Sequence, residues 1–146
     1  MKRMKFYLFG LLMILIGISC NSAKDPHRSP KTITKAFVES LYVGHYDEAK
    51  TYVTPESVPI INFFRQAFPP EYFKNCDHGV TTDEITVKEL SDSTAICKCI
   101  VHLCNGKVGN ESTTVVKRDG KWYVRLRENH EEDEQIKEAQ MRIGDN

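Results

Sequence analysis

The sequence predicts an α+β domain in which N-terminal helices pack on an antiparallel four-stranded meander, with an export leader in front. Three observations predict it. Between Ser93 and Arg127, runs rich in Val, Ile, Thr and aromatics are broken by Asn105-Gly106 and Asp119-Gly120. Asn-Gly and Asp-Gly are the strongest short-range hairpin signals. Between Lys31 and Val43, apolar residues recur every four positions, the spacing of a helix with one buried face. Ahead of both, a basic start and a short apolar run end in a small residue and a cysteine, the layout of a cleaved leader.

The leader begins Met1-Lys2-Arg3-Met4-Lys5 and continues as an apolar run from Phe6 to Ile18, interrupted by Gly10 and Gly17. That run is about a dozen residues, short of the roughly 18–25 that a spanning helix needs. Ile16-Gly17-Ile18-Ser19-Cys20 resembles the lipobox of bacterial lipoproteins, with Gly17 where Leu is usual. The resemblance implies cleavage before Cys20, lipidation of its thiol and a place in the bacterial cell envelope, anchored to the membrane through lipid. Asn21, rather than Asp, follows the cysteine, which resembles proteins sorted to the outer membrane.

Loss of Lys2, Arg3 and Lys5 with the leader takes the 20 basic residues to 17 against 20 acidic ones, a net charge of −3. Nothing in this balance favours nucleic acid, which would want a basic patch. The expected organisation is a signal peptide over 1–19, a lipid-anchored tether over 20–30, one domain over 31–127 and an acidic mobile tail over 128–146. The tether carries Pro26 and Pro30 among polar residues, and a coil of about ten residues would span roughly 15–20 Å.

The first helix, Lys31 to Val43, presents Ile33, Phe37 and Leu41 to the core, with Ala36 and Ser40 beside them. Gly44 stands where a left-handed cap ends a helix. A shorter helix runs from His45 to Val53, with Tyr46, Ala49 and Val53 on one face and Asp47 and Glu48 in its first turn, where they complement the dipole. Thr54-Pro55 restarts the chain. A third helix is expected from Val58 to Phe68, stopped by Pro69-Pro70. Its Ile60, Ile61, Phe63, Phe64, Ala67 and Phe68 cover most of its circumference, so it should be largely buried or line a cavity. Glu71 to Gly79 reads as irregular.

Thr81 to Leu90 is the first strand, with Ile85 and Val87 inward. A short Ser91-Asp92-Ser93 loop would set Val87 opposite Cys97, Ile85 opposite Cys99 and Val80 opposite Cys104. Along the next strand, alternation turns Ala95, Cys97, Cys99, Val101 and Leu103 to the core. The other face leaves Ile96, Ile100, Val116 and Tyr123 near solvent, where a second copy of the chain or an envelope protein could dock. A two-residue loop at Asp119-Gly120 pairs Val115 with Val124 and Lys117 with Trp122.

The order of helix, Gly, short helix, third helix and meander resembles the cone-shaped fold of the nuclear transport factor 2-like superfamily. The resemblance is carried by Ala36-Phe37, by Leu41-Tyr42-x-Gly44-x-Tyr46-Asp47-x-Ala49 and by Lys117-x-Asp119-Gly120-Lys121-Trp122-Tyr123-Val124. It covers roughly 31–127. Within that superfamily the chain is most similar to small exported lipoproteins with a domain of unknown function, sometimes labelled lumazine-binding-like. The resemblance implies a curved sheet closing on helices. It implies no particular chemistry, because the superfamily holds isomerases, dehydratases, ligand carriers and dimerisation modules.

Four cysteines remain after the leader: Cys76, Cys97, Cys99 and Cys104. Export permits disulfides. Cys97 and Cys99 point the same way on one strand, a poor match to disulfide geometry, and they suit small buried core positions. Cys104 lies on the opposite face near the end of the segment containing Cys76, so Cys76–Cys104 is the favoured bridge. Cys76-x-His78, Cys97-x-Cys99 and His102-x-Cys104 have ligand-type spacing, but alternation sends them to opposite faces, so no metal is expected.

A proton-transfer site would need an acid aimed into the cone. The strand interior offers only Asp83 and Glu89 near strand ends, with Tyr42, Tyr46 and Tyr52 as candidate donors. Asn110-Glu111-Ser112 reads as hairpin loop. No catalytic residue and no cofactor is expected. Two readings remain: a non-enzymatic interaction module, working through the outer sheet face as a homodimer or with an envelope partner, and a carrier of a small apolar or aromatic ligand lined by Phe37, Leu41, Phe64, Val101 and Trp122.

Overall fold

A computed structural model of the chain describes residues 25–76 and 79–126. The lipidation expected at Cys20, the leader and the acidic tail lie outside the described residues. Three α-helices, α1 (Pro30–Tyr42), α2 (Tyr46–Tyr52) and α3 (Val58–Ala67), precede four strands. These are β1 (Thr81–Ser91), β2 (Thr94–His102), β3 (Val108–Arg118) and β4 (Lys121–Arg125), antiparallel in the order β1-β2-β3-β4. The α+β class holds, with helices on one face of a single meander.

Helix α1 starts where Ser29 Oγ accepts the Thr32 amide at 3.2 Å and Pro30 fills the first position. Proline loses nothing there, since that amide has no partner in the helix. Ile33, Thr34, Phe37 and Val38 are buried beneath it. The helix ends at Gly44, whose φ is +78°. The Gly44 amide donates to the Leu41 carbonyl at 3.1 Å and the His45 amide to the Ser40 carbonyl at 3.0 Å.

Gly44 is held by more than its backbone angle. A Cβ there would lie 2.6 Å from Cδ2 of Phe73, so any side chain must push the Phe73 ring aside. Gly44→Ala is expected to destabilise the fold by about 2 kcal/mol, combining roughly 1–2 kcal/mol for the left-handed conformation with the displaced ring. Urea unfolding of the variant checks this.

Past α2, the chain turns onto β4. Val53 makes a parallel bridge with Val124, and the Thr54 amide donates to the Val124 carbonyl at 2.9 Å. In the 3₁₀ turn Pro55–Ser57, Ser57 Oγ accepts the Leu126 amide at 2.9 Å. On the same side of β4, Asp25–Ser29 is not loose coil. Pro26–Arg28 form a 3₁₀ turn, capped by the Asp25 side chain. Nδ1 of His27 hydrogen-bonds the Trp122 carbonyl at 2.7 Å, and its ring sits 4.7 Å from that of Tyr123.

The inner sheet face is the core. Ala95, Cys97, Cys99 and Val101 of β2 are buried as alternation requires, with Thr113 and Val115 of β3 and Trp122 and Val124 of β4. They pack against Ile33, Phe37, Val38, Tyr46, Ala49, Val53 and Ile61. Thr34 and Thr113 join the layers through their hydroxyls, 3.2 Å apart.

Three expectations are corrected. First, Val87 does oppose Cys97, but a bulge follows. Thr86 pairs with Lys98 and Asp83 with Ile100, so Glu84 and Ile85 together face Cys99. Glu84 takes φ +51° to make the bulge. Ile85 is then only half-buried and Val87 is 40% exposed, in keeping with the exposure of β1 from Thr86 to Ser91. The ladder ends at the Thr81–His102 pair, so Cys104 lies beyond it and does not oppose Val80.

Second, α3 is not buried all round. Ile61 is its only fully buried residue, while Phe63 is 66% exposed. One face of α3 meets α2, where the Arg65 guanidinium clasps Asp47 at 3.0 Å and holds that carboxyl below its usual range. Third, the outer sheet face is not an open apolar patch. Ile96 and Val116 are buried, and Ile100 and Tyr123 are half-buried. Val116 lies between Thr94 and Tyr123, and Ile96 between Lys88 and Thr114, so cross-strand neighbours shield them.

Candidate ligand-binding cavity

The two ends of the space between helices and sheet differ. At the β4 end Val115, Val124 and Trp122 close-pack with the helices. At the other end a cavity of about 640 Å³ remains. From α1 it is lined by Phe37, Leu41 and Tyr42, and from α3 and its end by Phe64 and Phe68. Tyr72, Phe73, Asn75 and Cys76 form one wall, and Leu103, Cys104 and Asn105 another. Glu111, Ser112 and Thr113 of β3, with Tyr46 and Leu126, complete it.

Phe37, Leu41 and Phe64 thus line the cavity as the sequence suggests. Val101 and Trp122 do not. Both face inward and are buried, Val101 at 1% exposed, but Trp122 belongs to the packed end and Val101 is covered by its neighbours, so neither is on the wall. Asp83 and Glu89 are also absent from the wall. Asp83 pairs with His102 at 2.9 Å on the exposed side of the sheet, and Glu89 lies in the uncovered half of β1.

The acid that enters the cavity is Glu111. It stands opposite Cys99 in the β2–β3 ladder and shares its face with Thr113 and Val115. Counting back by twos from Val115 reaches it, but the sequence reading places Asn110-Glu111-Ser112 in a loop. The strand begins at Val108, so the ladder runs through these residues. Tyr42, the last residue of α1, donates its hydroxyl hydrogen bond to Glu111 Oε1. Burial, then that bond and the carboxylate's charge, raise the Tyr42 phenol far above its ordinary value. It therefore stays a donor through neutral pH.

Aromatic rings form the rim. Tyr46 and Phe73 meet edge-on at 6.4 Å, Phe73 and Tyr72 at 5.4 Å, and Tyr72 and Phe68 at 5.7 Å. The Tyr46 hydroxyl donates to the Phe68 carbonyl at 2.6 Å, tying α2 to the end of α3. Tyr72 is 72% exposed and Phe68 44%.

Cys76 and Cys104 form a disulfide with Cα atoms 4.9 Å apart, and both face the cavity. Cys97 and Cys99 are free, buried thiols whose pKa values are raised by that burial, which makes them poor nucleophiles. Among the described residues no three His, Cys, Asp or Glu side chains converge as a metal site, and no helix is long and apolar enough to cross a membrane.

The buried phenols and thiols bear on alkaline stability. The raised phenols are Tyr42, Tyr46 and Tyr52, the last pushed up to about 12 by burial and its bond to Glu48. A raised folded pKa means the native state holds its proton where the unfolded chain has lost it. Stability is then full below the unfolded values, 9.0 for the thiols and 10.0 for the phenols, and falls as pH rises above them. Urea midpoints measured from pH 8 upward should drop above about pH 9, with a shallower drop in Tyr42→Phe.

Fold and cavity together define a small domain in which helices close a four-stranded meander around an aromatic pocket. The chain belongs to the family described as Domain of unknown function (DUF4878), which matches residues 21–125. No curated protein matches it. The solved structures that resemble it distantly include these three. An NTF2-like protein from Campylobacter jejuni, provisionally named a transpeptidase, is 19% identical over 68% of this chain and 99% of its own, with a TM-score of 0.49. A SEC-C motif containing protein from Rhodopseudomonas palustris is 13% identical over 75% and 85%, TM-score 0.46. A Xanthomonas campestris protein, provisionally named a calcium/calmodulin dependent protein kinase II association domain, is 19% identical over 60% and 74%, TM-score 0.35. At these scores the likenesses carry no functional argument.

Proposed function

We propose that this chain is a non-enzymatic binding module of the bacterial cell envelope, of the nuclear transport factor 2-like kind. Lipidated Cys20 anchors it to the outer membrane, and its interior cavity carries a small apolar or aromatic ligand. The observation that carries the reading is the cavity itself. Its volume of about 640 Å³ falls within the roughly 300–1,000 Å³ of small-molecule sites. Its walls are mainly aromatic and aliphatic, with a few convergent polar groups. Docking through Ile96, Ile100, Val116 and Tyr123, as a homodimer or on an envelope partner, is the weaker reading, since two of the four are buried within one chain.

Binding fits the polar groups better than catalysis. A proton-transfer site sets its base and its donor on opposite sides of a substrate. Here Tyr42 and Glu111 touch each other, so the pair acts as one polar anchor. Native mass spectrometry of the full chain extracted from its own host's membranes tests the proposal. The expected species carries an acyl mass on Cys20 and a bound small molecule. An acylated but empty protein would overturn the carrier reading, and an unmodified Cys20 would overturn the anchor.

A further inference from the structure

We infer that the cavity selects an organic cation, an ammonium group borne on an apolar or aromatic body. This rests on the carrier reading above and names its ligand class. Glu111 is the one charged side chain among the described lining residues, which include no Lys, Arg or His. Its Oε1 accepts the Tyr42 hydroxyl, and among the described residues nothing donates to Oε2 and no basic group pairs with it.

A partly buried carboxylate that lacks a protein counter-ion favours a ligand that supplies one. An anion in the same place would meet the carboxylate's repulsion and no positive charge on the described wall. The cavity that holds the carboxylate is also lined by the rings of Tyr42, Tyr46, Phe64, Phe68, Tyr72 and Phe73. Aromatic faces attract cations, and aromatic-lined sites hold quaternary ammonium groups. Charge and rings therefore point to the same ligand, with the ammonium at Glu111 and the body against Leu41 and Leu103.

Calorimetric titration of the full acylated chain in detergent micelles tests the inference with two probes of one shape, benzyltrimethylammonium and its neutral carbon isostere neopentylbenzene, and with the smaller anion phenylacetate. The cation is expected to bind about tenfold or more tighter than the neutral probe, a difference of about 1.4 kcal/mol. The anion should bind weakest. In Glu111→Gln the cation's advantage should fall to near one. If the neutral probe binds as well as the cation, the inference is overturned while the carrier reading stands. If no probe binds, both fall. If Glu111→Gln fails to fold, the wild-type ratio of cation to neutral probe still decides. Tyr42→Phe then adds a second measure: freeing Oε1 should hold or raise the cation's advantage, and losing it would count against the inference.

Discussion

Replacing Cys76 and Cys104 together with serine should lower the unfolding free energy by about 3–4 kcal/mol, the loop-closure value for a bridge of this span. The two residues are separated by 28 positions. The unfolded chain regains the freedom that the bridge removes. The native chain also loses a cavity wall, because the segment from Pro70 to Cys76 carries Tyr72 and Phe73 and is tied back at its end by the disulfide. For a domain of this size the change corresponds to a melting temperature roughly 10–20 °C lower. Calorimetry with and without reductant checks it, and the double serine variant should no longer respond to reductant. A melting point insensitive to both would show that the Pro70–Cys76 segment is held by its aromatic contacts alone.

The second large effect is expected at Phe37. Its side chain is 2% exposed and belongs both to the core and to the cavity wall. Phe37→Ala should cost about 3–5 kcal/mol, the range for truncating a buried aromatic. The existing cavity cannot collapse to compensate, since the α1 backbone beside it is fixed by the Ser29 cap and the Thr34–Thr113 contact. Phe37→Leu should cost much less, because it keeps most of the volume. Urea unfolding of the pair separates loss of packing from a general intolerance at the site. Equal effects in the two variants would mean that ring geometry, not volume, is needed at this position.

Much of the fold can be read from local patterns. The Ser29-Pro30 start of α1, the Gly44 stop and the Asp119-Gly120 hairpin each rest on one or two residues whose backbone preferences admit few alternatives. The inward face of β2 follows from alternation, because Ala95, Cys97, Cys99 and Val101 have no competing pattern. Features that depend on one element shifting against another were harder to read. The Glu84 bulge is invisible in a run of strand-forming residues, and it changes the register beyond it by one. The exposure of Phe63 depends on where α3 sits over the sheet, and its own apolar circumference conceals that.

The cavity was half legible for the same reason. Phe37, Leu41 and Phe64 are apolar and lie on faces turned toward the sheet. Val101 and Trp122 look equivalent to them in sequence. Which inward positions are packed over and which face open space depends on side-chain volumes summed over several elements. Glu111 was within reach of the two-residue period. It was hidden by the Asn105-Gly106 turn, which draws attention to a loop that ends sooner than its polar residues suggest. Its partner Tyr42 sits at the end of α1, where aromatic residues ordinarily complete a core.

The two margins of the sheet are unequal, and this limits how copies of the domain can assemble. Addition of a strand requires a row of free carbonyls and amides along a margin. On β4 the Trp122 carbonyl is taken by His27 and the Val124 carbonyl by Thr54, so a neighbouring chain finds no continuous row there. The β1 margin remains, broken by its bulge and studded with Asp83, Glu84, Lys88 and Glu89. Fibrillar stacking needs each subunit to offer two receptive margins, one for the copy above and one for the copy below. By the geometry of its described residues, this sheet offers at most one. Two folded copies could join there, and the pair would then present nothing for a third to extend.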